Sequence, residues 1–263
     1  MTKNGFHPFH IVDSNPWPIL GSLALYSLMG SVFLLMKGCL EFFYVLTSIM
    51  SILLVSFQWW RDVIRESTFQ GNHSKSVCWG LYMGIMMFIA SEVMFFFSFF
   101  FGYFFTALSS DLELGLTWPP VGIEPLSFSQ VPLMNTLILL SSGVSITWSH
   151  HALINSNLNQ SKVGLIFTLI LSAVFMYIQF EEYFECSFSM ADSVFGSLFF
   201  ITTGFHGVHV FVGSVFILTS MIRMFKLHFS MKHHIGYEAS AWYWHFVDVV
   251  WLFLFLSIYW WGS

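Results

Sequence analysis

A long apolar segment with a single charged residue constrains this chain more than any other feature. Between residues 76 and 110 the only charged side chain is Glu92. An apolar run of this length is typical of a transmembrane helix. A carboxyl group in its middle is costly when ionised unless it has a partner, so we expect the neutral acid. Glu92 could handle protons, anchor a neighbouring helix or lipid, or simply be hydrogen-bonded across a helix interface.

The composition agrees with a protein that crosses a membrane several times. Hydrophobic residues make up 56% of the 263 positions and charged residues only 9%, whereas soluble domains average about 25% charged residues. Nine Lys and Arg residues without a basic stripe disfavour nucleic-acid binding. The three cysteines lie far apart and form no CxxC motif, so we expect neither a disulfide framework nor a cysteine zinc site.

Seven apolar segments separated by polar stretches predict an all-α membrane protein with seven transmembrane helices. We expect these segments to form a single polytopic membrane domain over residues 1–263. Their approximate ranges are 17–36, 42–60, 77–108, 132–151, 163–180, 194–222 and 238–261.

The basic residues sort onto one side of this topology. Only Lys37 falls on the opposite side. The positive-inside rule then places the N-terminus on the inner face, in a mitochondrial matrix or a bacterial cytoplasm. The eight basic residues on that face are Lys3, Arg61, Arg65, Lys75, Lys162, Arg223, Lys226 and Lys232.

Eleven histidines admit two further kinds of chemistry. His206 and His209 share a helix face of the sixth span and could ligate haem or copper, because neutral imidazole is a good ligand. Spacing alone nevertheless favours hydrogen bonds between helices. A second set on the inner face could relay protons, bind phosphates together with Arg65, Arg223 and Lys226, or form only a solvated interface. That set is His7, His10, His73, His150, His151, His228, His233 and His234.

Several segments resemble subunit III of the haem–copper cytochrome c oxidases. The resemblance covers essentially the whole chain, and its long matching runs make it specific. The compact length and short N-terminal segment resemble the mitochondrial form. The segments are residues 15–18 (NPWP), 58–67 (QWWRDVIRES), 91–96 (SEVMFF), 118–122 (WPPVG), 143–148 (GVSITW), 204–209 (GFHGVH) and 241–251 (AWYWHFVDVVW). Departures from the family pattern occur at Tyr82, Phe101 and Glu124.

The resemblance implies a seven-helix subunit with no redox centre of its own. Two helices would stand apart from a five-helix bundle and leave a V-shaped cleft filled by phospholipid. Haem a and copper would belong to partner subunits, so we expect bound phospholipids but no metal or cofactor in this chain. The resemblance therefore disfavours the hypothesis that the histidines of this chain bind a metal.

The resemblance also implies roles for single residues. Glu92 matches a membrane carboxyl that reacts with carbodiimides, and no catalytic residue is expected. His7 and His10 match inner-surface histidines that help to supply protons to subunit I. Arg and Lys contacts to phosphate fit the expected lipid headgroup site. The positions that match it are Trp60, Arg65, Glu66, His73, Arg223, Lys226 and His233.

We therefore expect a non-catalytic core subunit of the proton-pumping oxidase (respiratory complex IV), which reduces oxygen to water with electrons from cytochrome c. It would stabilise subunit I, bind lipid and support proton uptake. Its partners would be subunits I and II and accessory subunits. It would lie in the mitochondrial inner membrane with its N-terminus on the matrix side. The alternative is a stand-alone proton-conducting channel or transporter that uses Glu92 and the inner histidines as a relay. A membrane haem or copper enzyme would instead need His206 and His209.

Overall fold

The computed structural model describes residues 8–110 and 115–262, and within these ranges the secondary structure is helical and contains no strand. Each of the seven long helices is apolar enough to cross a membrane. The predicted all-α fold with seven transmembrane helices is therefore confirmed. The helices are α1 (Trp17–Met36), α2 (Phe42–Thr68), α3 (Lys75–Leu108), α4 (Val131–Ile154), α5 (Leu158–Glu185), α6 (Val194–Phe225) and α7 (Ile235–Leu254), which continues as a π-helical turn at Phe255–Trp260.

The chain divides into two compact units, Met1–Leu81 and Tyr82–Ser263. In the first unit, α1 packs along α2. The indole N–H of Trp17 donates to Oδ2 of Asp62 at 2.8 Å, and the Ser27 and Ser48 hydroxyls lie 3.0 Å apart. The lipid-filled cleft and the single polytopic domain both stay predictions.

In the second unit, α7 is the central helix. It has twelve buried residues, whereas α3 has two, so most of α3 presents apolar side chains outward. Two buried indoles of α7 hydrogen-bond to α4: Trp244 Nε1 lies 2.9 Å from Ser142 Oγ, and Trp251 Nε1 lies 2.9 Å from Thr136 Oγ1. Because hydrocarbon offers no hydrogen-bond partners, such contacts must be made inside the protein.

Helices α4 and α5 approach each other closely through small residues. The Ser149 hydroxyl donates to the Ser161 carbonyl at 2.6 Å, and the Ser145 and Thr168 hydroxyls lie 2.7 Å apart. A Cβ atom added to Gly164 would lie 2.6 Å from Ser149 Cβ. Small side chains at such a contact let two membrane helices approach closely, so packing and interhelical hydrogen bonds can hold them together.

Candidate functional site

Glu92 on α3 is paired with His209 on α6. Its Oε2 lies 2.8 Å from His209 Nε2. The other ring nitrogen, Nδ1, lies 2.7 Å from the carbonyl oxygen of Phe205, one turn earlier in α6. The Glu92 and His209 side chains are only 22% and 12% exposed in the chain without partners. The structure thus brings the single carboxyl of the third span to an imidazole that the sequence suggested as a metal ligand.

The hydrogen bonds of His209 fix the number of protons in this pair. A carbonyl oxygen only accepts, so Nδ1 carries a hydrogen and donates it to Phe205. Nε2 then either accepts a hydrogen from protonated Glu92, or carries its own hydrogen and donates to the Glu92 carboxylate. In both forms the pair shares one proton and has no net charge. A neutral pair is the form that costs least in a hydrocarbon surrounding.

Aromatic rings surround His209. The Phe96 and Phe95 rings lie 4.9 and 6.0 Å from the imidazole, measured between ring centroids. The Tyr243 ring stacks at 6.4 Å, and the Phe246 ring lies at the same distance. These apolar rings give the Glu92 hydrogen bond a low-dielectric surrounding, which strengthens it electrostatically and makes an unpaired carboxyl there costly.

His206 has a different environment from His209. It is only 1% exposed, and its Nε2 lies 3.3 Å from the Val247 carbonyl oxygen on α7. Its ring packs against Phe175 and Trp251, with centroids 5.8 and 5.2 Å away. The two histidines that could have ligated haem or copper are therefore engaged by different helices.

In the first unit, His10 lies beside two residues to which the resemblance gives another role. Its Nδ1 is 4.0 Å from Glu66 Oε2, and its ring centroid is 6.2 Å from that of His73. A residue predicted to supply protons thus adjoins two predicted lipid contacts. Trp60 and Arg65 are exposed on α2. His7 lies outside the described residues.

In the second unit, Arg223 stands at the last turn of α6, and its guanidinium carbon lies 4.5 Å from the Phe229 ring centroid. Within the described residues its buried Nε has no hydrogen-bond partner. Lys226 caps the helix. Burial, and then the positive charges of Arg223 and Lys226, lower the pKa of His228 in the following loop. This concentration of positive charge favours an anion. His233, the third predicted lipid contact here, is exposed.

Two buried carboxyl groups did not enter the sequence predictions as site residues. The Tyr259 hydroxyl donates to Glu182 Oε1 at 2.6 Å, and Asp248 on α7 is also buried. Glu182 lies in the last turn of α5. The spacing of Gln179 and Glu182 on one helix face was the available signal, because it puts both on the side that packs inward.

The chain is similar to known proteins over its whole length. A family model described as cytochrome c oxidase subunit III matches residues 7–263. The chain is 50% identical to cytochrome c oxidase subunit 3 of Locusta migratoria and 49% identical to that of Anopheles quadrimaculatus, with 100% of each chain covered. It is 51% identical to the same subunit of Struthio camelus, with 98% of each chain covered.

Proposed function

Because the chain belongs to the cytochrome c oxidase subunit III family, we propose that it serves the oxidase as a core subunit without a redox centre. As a member of that family it is a multi-pass membrane subunit of complex IV. The observation that carries the non-redox role is the use made of His206 and His209. His206 Nε2 contacts the Val247 carbonyl on α7, and His209 Nε2 contacts Glu92 on α3. The two imidazoles are thus directed at different helices and not at one shared haem or copper.

In this role the chain stabilises subunit I and binds phospholipid. Exposed apolar side chains along α3, such as Met94, Phe97 and Phe101, supply surface for lipid or for a neighbouring subunit, because an outward apolar face is favourable in the membrane. Subunits I and II carry haem a and copper, and accessory subunits complete the complex. The charge distribution supports an inner-membrane topology with the N-terminus on the matrix side.

The chain also supports proton uptake from the inner surface. His10 Nδ1 lies 4.0 Å from Oε2 of the Glu66 carboxylate, and both side chains can carry a proton. We assign this segment, with His7, to the supply of protons to subunit I. The Glu92–His209 pair serves instead as a neutral anchor between α3 and α6 that can hold one proton.

Phospholipid headgroups bind at residues of both units, and Arg and Lys supply the positive charge. Trp60, Arg65, Glu66 and His73 contribute in the first unit. Arg223, Lys226 and His233 contribute in the second. The unsatisfied Nε of Arg223 supports this assignment, because guanidinium N–H groups match phosphate oxygens in geometry and charge.

Replacing Arg223 with alanine is expected to release phospholipid from the purified complex. A hydrogen bond to a charged group contributes enough free energy that its loss weakens binding by about tenfold or more. The measurement is the phosphorus content of the complex after detergent exchange, followed by titration with phosphatidylethanolamine or phosphatidylglycerol. The control is Lys232→Ala, which removes an exposed positive charge near the same loop. Equal phospholipid retention in the two variants would contradict this assignment.

A stand-alone proton channel is the second candidate, because the Glu92–His209 pair can hold a mobile proton. Proteoliposomes that contain only this chain separate the two functions. A pH-sensitive dye inside the vesicles should report no more proton entry than in empty vesicles under an imposed potential. Proton entry that disappears in Glu92→Gln would overturn the subunit proposal in favour of the channel.

A further inference from the structure

Three metal-ligating side chains converge in the second unit, where α4 ends and α7 begins. His150 lies in the last turns of α4, His234 is the N-cap of α7, and Glu238 lies in its first turn. His150 Nε2 is 3.2 Å from His234 Nε2 and 3.9 Å from Glu238 Oε1. His234 Nε2 is 2.9 Å from the same oxygen. In the described part of the chain this is the one group of three such side chains whose ligand atoms lie within 4.8 Å of one another.

These separations fit the coordination shell of a tetrahedral ion. Zinc binds imidazole nitrogen and carboxylate oxygen at about 2.0–2.2 Å, so neighbouring ligand atoms in a tetrahedron lie about 3.3–3.5 Å apart. The three observed separations, 3.2, 2.9 and 3.9 Å, lie on both sides of that value. Small side-chain rotations would make them equal without moving the helices.

The surroundings orient two of these side chains for metal binding. His234 Nδ1 lies 2.9 Å from the Ser230 carbonyl oxygen, so it carries the hydrogen and leaves the Nε2 lone pair directed at the other two residues. The Tyr82 hydroxyl donates to Glu238 Oε2, which leaves Oε1 for an ion. Tyr82 is uncharged, so the negative charge of Glu238 remains available to a cation.

A bound cation would also explain the short contact between His150 Nε2 and His234 Nε2. The short contact between the two Nε2 atoms needs either a hydrogen on one of them or a cation between them. The Glu238 carboxylate beside both nitrogens favours a positive charge at this point. His234 is 6% exposed, and the Tyr237 ring stacks on the His150 imidazole at 5.5 Å, so the ligands are held in place.

We propose that His150, His234 and Glu238 form a binding site for a divalent transition-metal ion of the zinc type. Two imidazoles and one carboxylate suit zinc and leave a fourth position for water. The site joins α4 to the start of α7, and through Tyr82 it reaches α3. It departs from the expectation that this chain holds no metal, and it is independent of the role of the chain in the oxidase.

The test is a zinc titration of the purified oxidase complex, first stripped with a chelator, against a chromophoric zinc indicator. The wild-type complex should bind one more Zn²⁺ than a complex with His150→Gln, or bind that ion about 100-fold more tightly. His151→Gln is the matched control, because His151 is the adjacent, exposed histidine and is no part of the cluster. Equal zinc stoichiometry and affinity in the wild type and His150→Gln would overturn the site.

Two further measurements apply where His150→Gln fails to assemble. Glu238→Gln preserves the size of the side chain and an acceptor for Tyr82, and it should weaken zinc binding while the complex still forms. Crystals of the unmodified complex soaked in Zn²⁺ should show anomalous scattering at the zinc edge between these three side chains. Anomalous scattering only elsewhere would mean that a shared hydrogen, rather than a metal ion, joins the two histidines.

Discussion

Replacing Gly164 with valine should prevent stable assembly of the second unit. A Cβ atom at position 164 would lie 2.6 Å from Ser149 Cβ, 3.0 Å from the Ser145 carbonyl oxygen and 3.1 Å from Ser149 Cα. Two of these are backbone atoms of α4, which cannot rotate away as a flexible side chain can. The helices would have to separate, and overpacking of this kind costs about 3 kcal/mol.

The Gly164→Val substitution would also remove hydrogen bonds between α4 and α5. Separation of α4 from α5 would also break the hydrogen bonds between Ser149 and Ser161 and between Ser145 and Thr168. In the membrane these hydroxyl groups would find no water in exchange. The measurement is the amount of assembled oxidase in membranes, taken from blue native gels probed for this chain.

The control for this substitution is Gly207→Val on α6. No atom lies within 4 Å of a Cβ added at Gly207 among the described residues, so the same change of side chain meets open space. Near-normal assembly of Gly207→Val is expected. Equal loss of assembly in both variants would mean that the glycine residues matter for a reason other than the α4–α5 contact.

Replacing both members of the Glu92–His209 pair should destabilise the chain by much less than the sum of the two single replacements. In His209→Leu the Glu92 carboxyl loses its partner among aromatic rings, and an unsatisfied buried polar group costs about 1–3 kcal/mol. Glu92→Leu leaves His209 Nε2 unsatisfied in the same way. The double variant removes both polar groups, so it should cost little more than either single change.

The thermal midpoint of the purified complex, followed by tryptophan fluorescence, measures this coupling. Glu92→Gln is the matched variant, because its amide can donate to His209 Nε2 as the protonated acid does, and it should preserve assembly and most turnover. Strictly additive effects in the two leucine variants would show that the two side chains do not act as a pair. Loss of the complex in Glu92→Gln would show that the carboxyl itself is required for structure.

The sequence predicted all seven helices, but it predicted their end points less well. Apolar runs report the stretch inside the membrane, so the second span was predicted to end at residue 60. The helix α2 continues to Thr68, because Arg61, Arg65 and Glu66 are good helix formers and a helix can extend beyond its apolar segment. This extension places Asp62 where Trp17 donates to it, a contact that hydropathy does not indicate.

The candidate site was predicted in part. The single charge in the third span identified Glu92, but its partner is 117 positions away in sequence, and helix periodicity does not say which helices are neighbours. His206 and His209 are rotated by about 60° from each other on one helix. That rotation is enough for α7 to engage the first and α3 the second. The meeting of His150, His234 and Glu238 likewise depends on the packing of α4 against α7.

The lipid and proton-supply residues were predicted from the resemblance and not from helix patterns. Arg223 and His10 have contacts that suit those roles, yet the roles depend on headgroups and on subunit I, which the sequence of this chain does not contain.

An optical spectrum of this chain decides whether it carries a redox centre of its own. The chain would be purified once by itself in detergent, and once by gentle extraction that keeps its neighbours attached. We expect no haem absorption from the isolated chain and a full cytochrome oxidase spectrum from the gentle preparation. Stoichiometric haem on the isolated chain would contradict this expectation and would make His206 and His209 the next residues to replace.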